Sequence, residues 1–297
     1  MATQRRIAIN PLPWILGDMA YQLDQSILET AMRELAPIGF DRMTVEMPEG
    51  TTAAWYGTLL SDNGFGAAPG YFSGDFADAS KHHELTERIT AHARAHRELG
   101  LDTAFIAHDL TPARIAHPAI GFEPDPSTWA VIADGLVKAT DAAAAEGVRY
   151  ALHPHVGSRI EVEDDVRAVL DLTAGSSLFF GPDTGHLFWA GMDPAVIMAD
   201  YSDRIIAVHL KDVDASARVT AIEAGDDYSA ATNKRHVWTE PGRGAIDFTA
   251  VLATLPADFD GWFVVEVDVP NFGSPAESSA VSYNFLASHP YFAGSLR

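Results

Sequence analysis

Eight short runs of β-branched or apolar residues alternate along this chain with longer segments of helical periodicity, and that alternation limits the possible folds more than any other feature. The runs span residues 6–10, 42–46, 66–71, 103–107, 149–153, 178–181, 205–209 and 262–267. Between them, for example over 81–99, 126–146 and 162–172, Ala, Leu, Ile and Val recur at three- and four-residue spacing. Strands separated by helices pair in parallel, and eight such units close most naturally into a (β/α)8 TIM barrel of the α/β class. Gly39, Gly100, Gly147 and Gly175 each end a helical pattern just before a strand, which suits left-handed C-terminal caps and supports the count of units.

The chain has 297 residues, and a barrel of this kind uses about 250 residues as one domain. No composition shift, charge block or low-complexity tract interrupts the chain, so a single domain over 1–297 is expected. Two inter-strand segments read as enlarged loops: 48–74, rich in Gly and aromatics, and 212–244, polar and irregular. In a barrel both would rise from the C-terminal face.

Composition narrows the partners. A hydrophobic fraction of 47% with 21% charged residues is enough to bury a core. Forty-one acidic against 20 basic residues leave a net charge of −21, which repels phosphate backbones and anionic lipid surfaces, so neither nucleic acid nor membrane is an expected partner. The absence of cysteine excludes disulfides, thiolate metal sites and a cysteine nucleophile. With no secretory leader pattern and no apolar run of about 18 residues, a soluble cytoplasmic protein is expected.

A barrel gathers its chemistry where the strands end. The run RYALHPH ends on His153 and His155, LFFGPDTGH carries Asp183 and His186, IIAVHLKD ends on His209, Lys211 and Asp212, and GWFVVEVD ends on Glu266 and Asp268. Four successive strands would thus bring imidazole and carboxylate to one rim. His153, Asp183, His209 and Glu266 form a sulfur-free donor set suited to one divalent ion of borderline hardness, Mn²⁺ by preference, with Zn²⁺, Co²⁺ or Fe²⁺ also compatible. Residues two apart on a strand share a face, so His155 could supply the ligand in place of His153. Any one of these residues could instead be a hydrogen-bonded polar group at a strand end.

The segments INPLPW, ALHPHVGS, PDTGHLFWAG, IIAVHLKDV, EPGRGAIDF and VVEVD resemble, in order and position, those of the xylose-isomerase-like barrel superfamily of sugar phosphate isomerases and epimerases. Within it the similarity is greatest to inosose (2-keto-myo-inositol) dehydratases. The resemblance implies a metal held at four strand ends, usually by Glu, Asp, His and Glu. The last three fall on Asp183, His209 and Glu266, and the first on His153, where this chain departs from the glutamate of the epimerases. In those epimerases the two glutamates also move the substrate protons, so the departure turns expectation from epimerisation toward elimination.

The implied chemistry is removal of a proton next to a carbonyl that a divalent ion polarises. Candidate bases are Glu266, His155 and His186, the histidines because imidazole can take and return a proton near neutral pH. Lys211 shares the face of His209 and could steady an oxyanion, or form a salt bridge with Asp212 or Asp183. Asn10, Trp14, Glu46, Glu161 and Arg243 are candidate substrate contacts, with Trp55, Tyr71 and Phe72 expected near the same rim. Each has a structural alternative: core anchoring for the aromatics, a helix-start carboxylate for Glu161, a turn for the glycines around Arg243. The expected substrate is a keto-sugar or keto-cyclitol. Alternatives are a sugar isomerase or epimerase, and a C-glycoside deglycosidase catalytic subunit, which would need a small partner subunit; a homo-oligomer is equally compatible. The apurinic endonuclease branch of the fold conflicts with the charge of −21, and a catalytically silent barrel would retain no metal.

Overall fold

The computed structural model describes residues 5–16 and 21–296. Its strands are β1 (Arg6–Ile9), β2 (Arg42–Thr44), β3 (Gly66–Ala68), β4 (Tyr71–Gly74), β5 (Thr103–His108), β6 (Arg149–Leu152), β7 (Leu178–Phe180), β8 (Ala207–Leu210), β9 (Asp212–Val213), β10 (Trp238–Thr239) and β11 (Trp262–Val265). Two parallel arcs run β3-β2-β1-β11-β8 and β4-β5-β6-β7. The parallel bridges Phe180↔Ile205 and Asp183↔His209 join them on one side, and the continuous chain from β3 into β4 joins them on the other. The result is a closed barrel in which helices such as His82–Glu98 and Trp129–Ala145 cover the outside.

The third run of the sequence, read as one strand over 66–71, is two strands that serve different arcs. Pro69 has no amide hydrogen to give, and the Gly70 amide donates sideways to Nε2 of buried His96 at 3.0 Å, so the ladder is interrupted there. Only glycine fits at 70, because a Cβ would come within 2.9 Å of Val45 and 3.0 Å of His96 Nε2. The four inter-element glycines do take positive φ, from 75° at Gly175 to 117° at Gly39, as left-handed helix ends require.

One apolar cluster extends from Ile7 to Phe292, filling the barrel and the space beneath its helices. Asp24, Thr52, Asp183, Asp193, Asp214, Asp227 and Asp247 cap helix starts with their side chains, so part of the acidic surplus serves the helices' unpaired amides. Among the described residues no helix is long and apolar enough to cross a membrane.

Neither enlarged loop is irregular. Segment 48–74 contains the Ala53–Asp62 helix, an ordinary barrel crossover, and Trp55 lies on that helix. Segment 212–244 folds on the antiparallel ribbon β9–β10 and carries the Ala215–Ala224 and Tyr228–Asn233 helices. It has its own apolar cluster of Val156, Trp189, Val213, Ala221, Val237 and Trp238.

Candidate metal centre

His209, on β8, is registered with Val264 of β11, so Glu266, two residues beyond Val264 on the same strand face, lies diagonal to His209. Its Nδ1 is 3.1 Å from Glu266 Oε2 and 3.7 Å from Asp183 Oδ2. Asp183 caps the Thr184–Trp189 helix, and its Oδ1 accepts the His186 amide at 2.8 Å. The cap fixes the carboxylate and leaves Oδ2 free. His153 follows β6, with Nε2 at 4.0 Å from Asp183 Oδ2 and its ring 4.7 Å from that of His209. Phe105 forms the floor, 4.3 Å from the His209 ring, in space that Gly181 leaves open.

Asp183 Oδ2, His153 Nδ1 and both His209 nitrogens are buried without a hydrogen-bond partner. Such orphaned groups are costly unless something ligates them. Donor atoms of Asp183, His209 and Glu266 lie within 4.8 Å of one another, as do those of His153, Asp183 and His186. Buried imidazole and carboxylate donors at this spacing fit a divalent metal ion. Two triads share Asp183.

Lys211 is the strongest local charge. Gly185 makes room for it, since a Cβ there would meet Lys211 Cγ at 2.7 Å. Its Nζ lies 2.5 Å from Glu266 Oε1, 2.6 Å from Asp268 Oδ1 and 3.7 Å from Asp183 Oδ2. Burial alone would favour the neutral amine, but Asp268, Glu266 and Asp183 outweigh it and hold the ammonium well above its usual range. In return Lys211 and His209 overcome the burial of Glu266 and keep that carboxylate well below its ordinary value. Asp183 is pushed up to about 6, chiefly by burial. Asp212 is no partner of Lys211: its carboxylate accepts amides from Val213, Gly242, Gly244 and Ile246, anchoring the loop before the Phe248–Ala253 helix.

The His155 and His186 rings lie 3.8 Å apart at a tilt of 37°, and Val156 touches both. The Val156 carbonyl accepts from His155 Nδ1 at 2.7 Å, while the Val156 amide donates to His186 Nδ1 at 3.1 Å. Neutral His155 therefore carries its lone pair on Nε2, and neutral His186 carries its proton on Nε2. Burial lowers both, His155 to about 4, so both rings are neutral at pH 7.

The remaining sequence candidates are dispersed. Asn10 Nδ2 donates to Glu266 Oε2 at 2.5 Å and so orients that carboxylate. Glu46 ends the second strand unit, where burial and then Glu266 raise it to about 8. Trp14 Nε1 donates to Glu34 at the barrel edge. Glu161 accepts amides from Ala119, Gly121 and Gly157 and pairs with Arg114, so its carboxylate ties loops together within the protein. Arg243 is exposed, its guanidinium over Phe272 at 5.4 Å. Of the aromatics, Tyr71 meets the His153 ring edge-on at 5.4 Å, whereas Phe72 points outward against His92.

Two neighbours of the site had no role in the sequence reading. Asp268 is two residues past Glu266 and so on the same strand face, a spacing that could have placed it. Tyr228, 3.4 Å from Asp268 Oδ2 and stacked on His155 at 6.1 Å, comes from the 212–244 segment, where no strand period signals it.

A family model described as "Xylose isomerase-like TIM barrel" matches residues 32–289. The chain belongs to that family. It is 28% identical over 287 residues to an inosose dehydratase of Geobacillus thermodenitrificans, covering 95% of this chain and 96% of the relative. Among solved structures, a sugar phosphate isomerase/epimerase from Parabacteroides distasonis superposes with a TM-score of 0.69 at 14% identity, covering 97% of this chain and 96% of that one. The probable 3-DHS dehydratase of Bacillus anthracis gives 0.69 at 14% identity, with coverages of 96% and 99%. Members with dehydratase and epimerase names thus share this barrel, and the fold leaves the reaction to the residues at its mouth.

Proposed function

We propose that this family member is a divalent-metal-dependent lyase that removes water from a keto-cyclitol of the inosose kind. The observation that carries the proposal is the convergence of orphaned Asp183 Oδ2 and His209 nitrogens with Glu266 at the strand ends, beside histidines of opposite tautomer. His153, Asp183, His209 and Glu266 would hold the ion, with Mn²⁺ the preferred choice, and once bound it would supply Lewis acidity to the substrate carbonyl.

The chain's own groups divide the rest. His155 Nε2 offers a lone pair to the proton next to the carbonyl, and its partial exposure leaves it open to the mouth. As that C–H bond breaks, the electron pair forms the C=C bond and the neighbouring C–O bond breaks. His186 Nε2–H then supplies the proton with which the hydroxyl leaves as water. The Lys211 ammonium, 3.5 Å from His186 Nε2, would steady the imidazolate this leaves until the proton taken by His155 is passed back to it. Glu266 is engaged by Asn10 and Lys211 and is assigned to the ion, whereas His155 Nε2 has an uncommitted lone pair, which favours His155 as the base.

Incubation with Mn²⁺ and 2-keto-myo-inositol, followed by ultraviolet absorbance, tests the proposal: an absorbing unsaturated ketone is expected. Parallel incubation with 3-oxo-glucosides distinguishes aglycone elimination, and failure of both substrates would sink elimination altogether. The metal is tested separately. Mn²⁺ is expected to raise the unfolding midpoint of the natural protein and not that of His209→Ala; an equal rise in both would overturn the ligand set.

A further inference from the structure

At the end of the barrel opposite the metal centre, strand starts frame a surface cavity of about 560 Å³. Arg6 and Arg42 open β1 and β2, Arg97 lies in the last turn of the His82–Glu98 helix, and Arg5, Asp41, Asp102 and Trp262 complete the polar and aromatic lining. Four arginines against two aspartates leave that lining at +2 in a chain whose net charge is −21. The local sign is reversed.

The cations are not equally committed. Arg5 is spent on the carbonyls of Phe259 and Ala257, at 2.5 and 3.2 Å, and on the Tyr291 ring at 4.4 Å. Asp102 is shared by Arg6 at 3.9 Å and Arg149 at 3.7 Å, so one carboxylate is already divided between two guanidinium groups. Asp41 is engaged in an interaction of its own. Arg42 lies folded over Gly66, where any Cβ would collide with its guanidinium. Among the described residues no hydrogen bond or ion pair engages the side chain of Arg42 or of Arg97. Two planar donor forks therefore line one concave site without an acceptor.

We propose that this cavity binds a small dianion of the phosphate type, with Arg42 and Arg97 as its principal ligands. A guanidinium fork matches two oxygens of a tetrahedral dianion, and the lining of +2 matches its charge. Such an ion would tie the start of β2 to the chain entering β5, close to where the Arg5 amide meets Ser295 Oγ at 3.0 Å. The N-terminal face of a barrel bears on stability rather than chemistry, so the bound ion would stabilise the closed barrel without entering the reaction.

Equilibrium dialysis against inorganic phosphate at pH 8, without divalent metal, should find one phosphate per chain. Thermal unfolding should shift upward in phosphate relative to chloride at equal ionic strength. Because each variant removes a charge-assisted hydrogen-bonding fork, Arg42→Gln or Arg97→Gln should weaken phosphate binding about tenfold or more. Arg235→Gln, whose natural partner is Asp226 elsewhere, should leave it unchanged. Equal effects of chloride and phosphate, equal binding of acetate, or full affinity in both Arg42→Gln and Arg97→Gln would each overturn the site. Circular dichroism of the exposed-arginine variants shows whether they remain folded.

Discussion

At the scale of single residues, Lys211 decides how the candidate metal centre holds together in the absence of an ion. It is fully buried, and Glu266, Asp268 and Asp183 surround its ammonium. Burying three carboxylates together is tolerable only with a cation among them. Lys211→Met should therefore lower the stability of the metal-free protein by about 3–5 kcal/mol, the range for removing one partner from a buried ion pair. Added Mn²⁺ should recover most of that loss, because the ion replaces the missing charge. Urea unfolding of both proteins with and without Mn²⁺ measures this, and a loss that Mn²⁺ leaves unchanged would mean that Lys211 and the ion do not share partners. His153 raises a related question. If imidazole at this position disfavours two-base proton exchange, His153→Glu should retain Mn²⁺ binding while lowering dehydration by about tenfold or more, since the added carboxylate competes for the proton. Substrate consumption and metal binding measured on the same preparation separate the two effects.

Among the elements, the break between β3 and β4 is held by a side chain from a helix behind it. His96 accepts the Gly70 amide, stacks on His92 at 4.3 Å, and is lowered to about 4 by burial. An unfolded histidine titrates near 6.5, so as pH falls below that value the unfolded chain takes up a proton that folded His96 refuses. This contribution to stability is complete above about 6.5 and declines as pH falls toward 4, by a total of about 3 kcal/mol. His96→Gln keeps an acceptor for Gly70 and cannot titrate. The stability difference between natural protein and variant, followed by urea unfolding from pH 7 to 4, should move in favour of the variant; a constant difference would show that His96 is not a buried neutral ring. The same contact explains what a sequence can and cannot reveal here. Parallel strands deliver their last residues to one rim, so strand ends in the second half of the chain were enough to point to His153, Asp183, His209 and Glu266. The split of the third run depends on a ring nitrogen 26 residues away, on a helix, accepting the Gly70 amide, which no strand period records. Likewise the polar 212–244 segment hid a small apolar core and Tyr228, because its helices are short and pack on one another and on Trp189 rather than on a periodic barrel face.

For the whole molecule, charge is the property that reaches furthest. The net −21 surrounds a site in which Asp183, Glu266 and Asp268, when ionised, outnumber Lys211 and leave −2. A divalent ion, bound as proposed, would bring that site to neutrality, and the acidic surround would draw it in. The same field opposes anionic substrates, which would arrive at a neutral site through a negative potential. A neutral keto-polyol meets no such barrier. Two consequences follow from this one field and can be measured together. Raising ionic strength from about 10 mM to about 300 mM shortens the Debye length from about 30 Å to below 8 Å and should weaken Mn²⁺ binding severalfold by calorimetric titration. Under the low-salt condition a phosphorylated keto-polyol should show kcat/KM at least about tenfold below that of its neutral counterpart, and added salt should narrow the gap. If Mn²⁺ affinity is flat with salt and the phosphorylated compound is the better substrate, local contacts at the barrel mouth outweigh the long-range field, and recognition would have to rest on a cation such as Arg243 at the rim rather than on neutrality of the substrate.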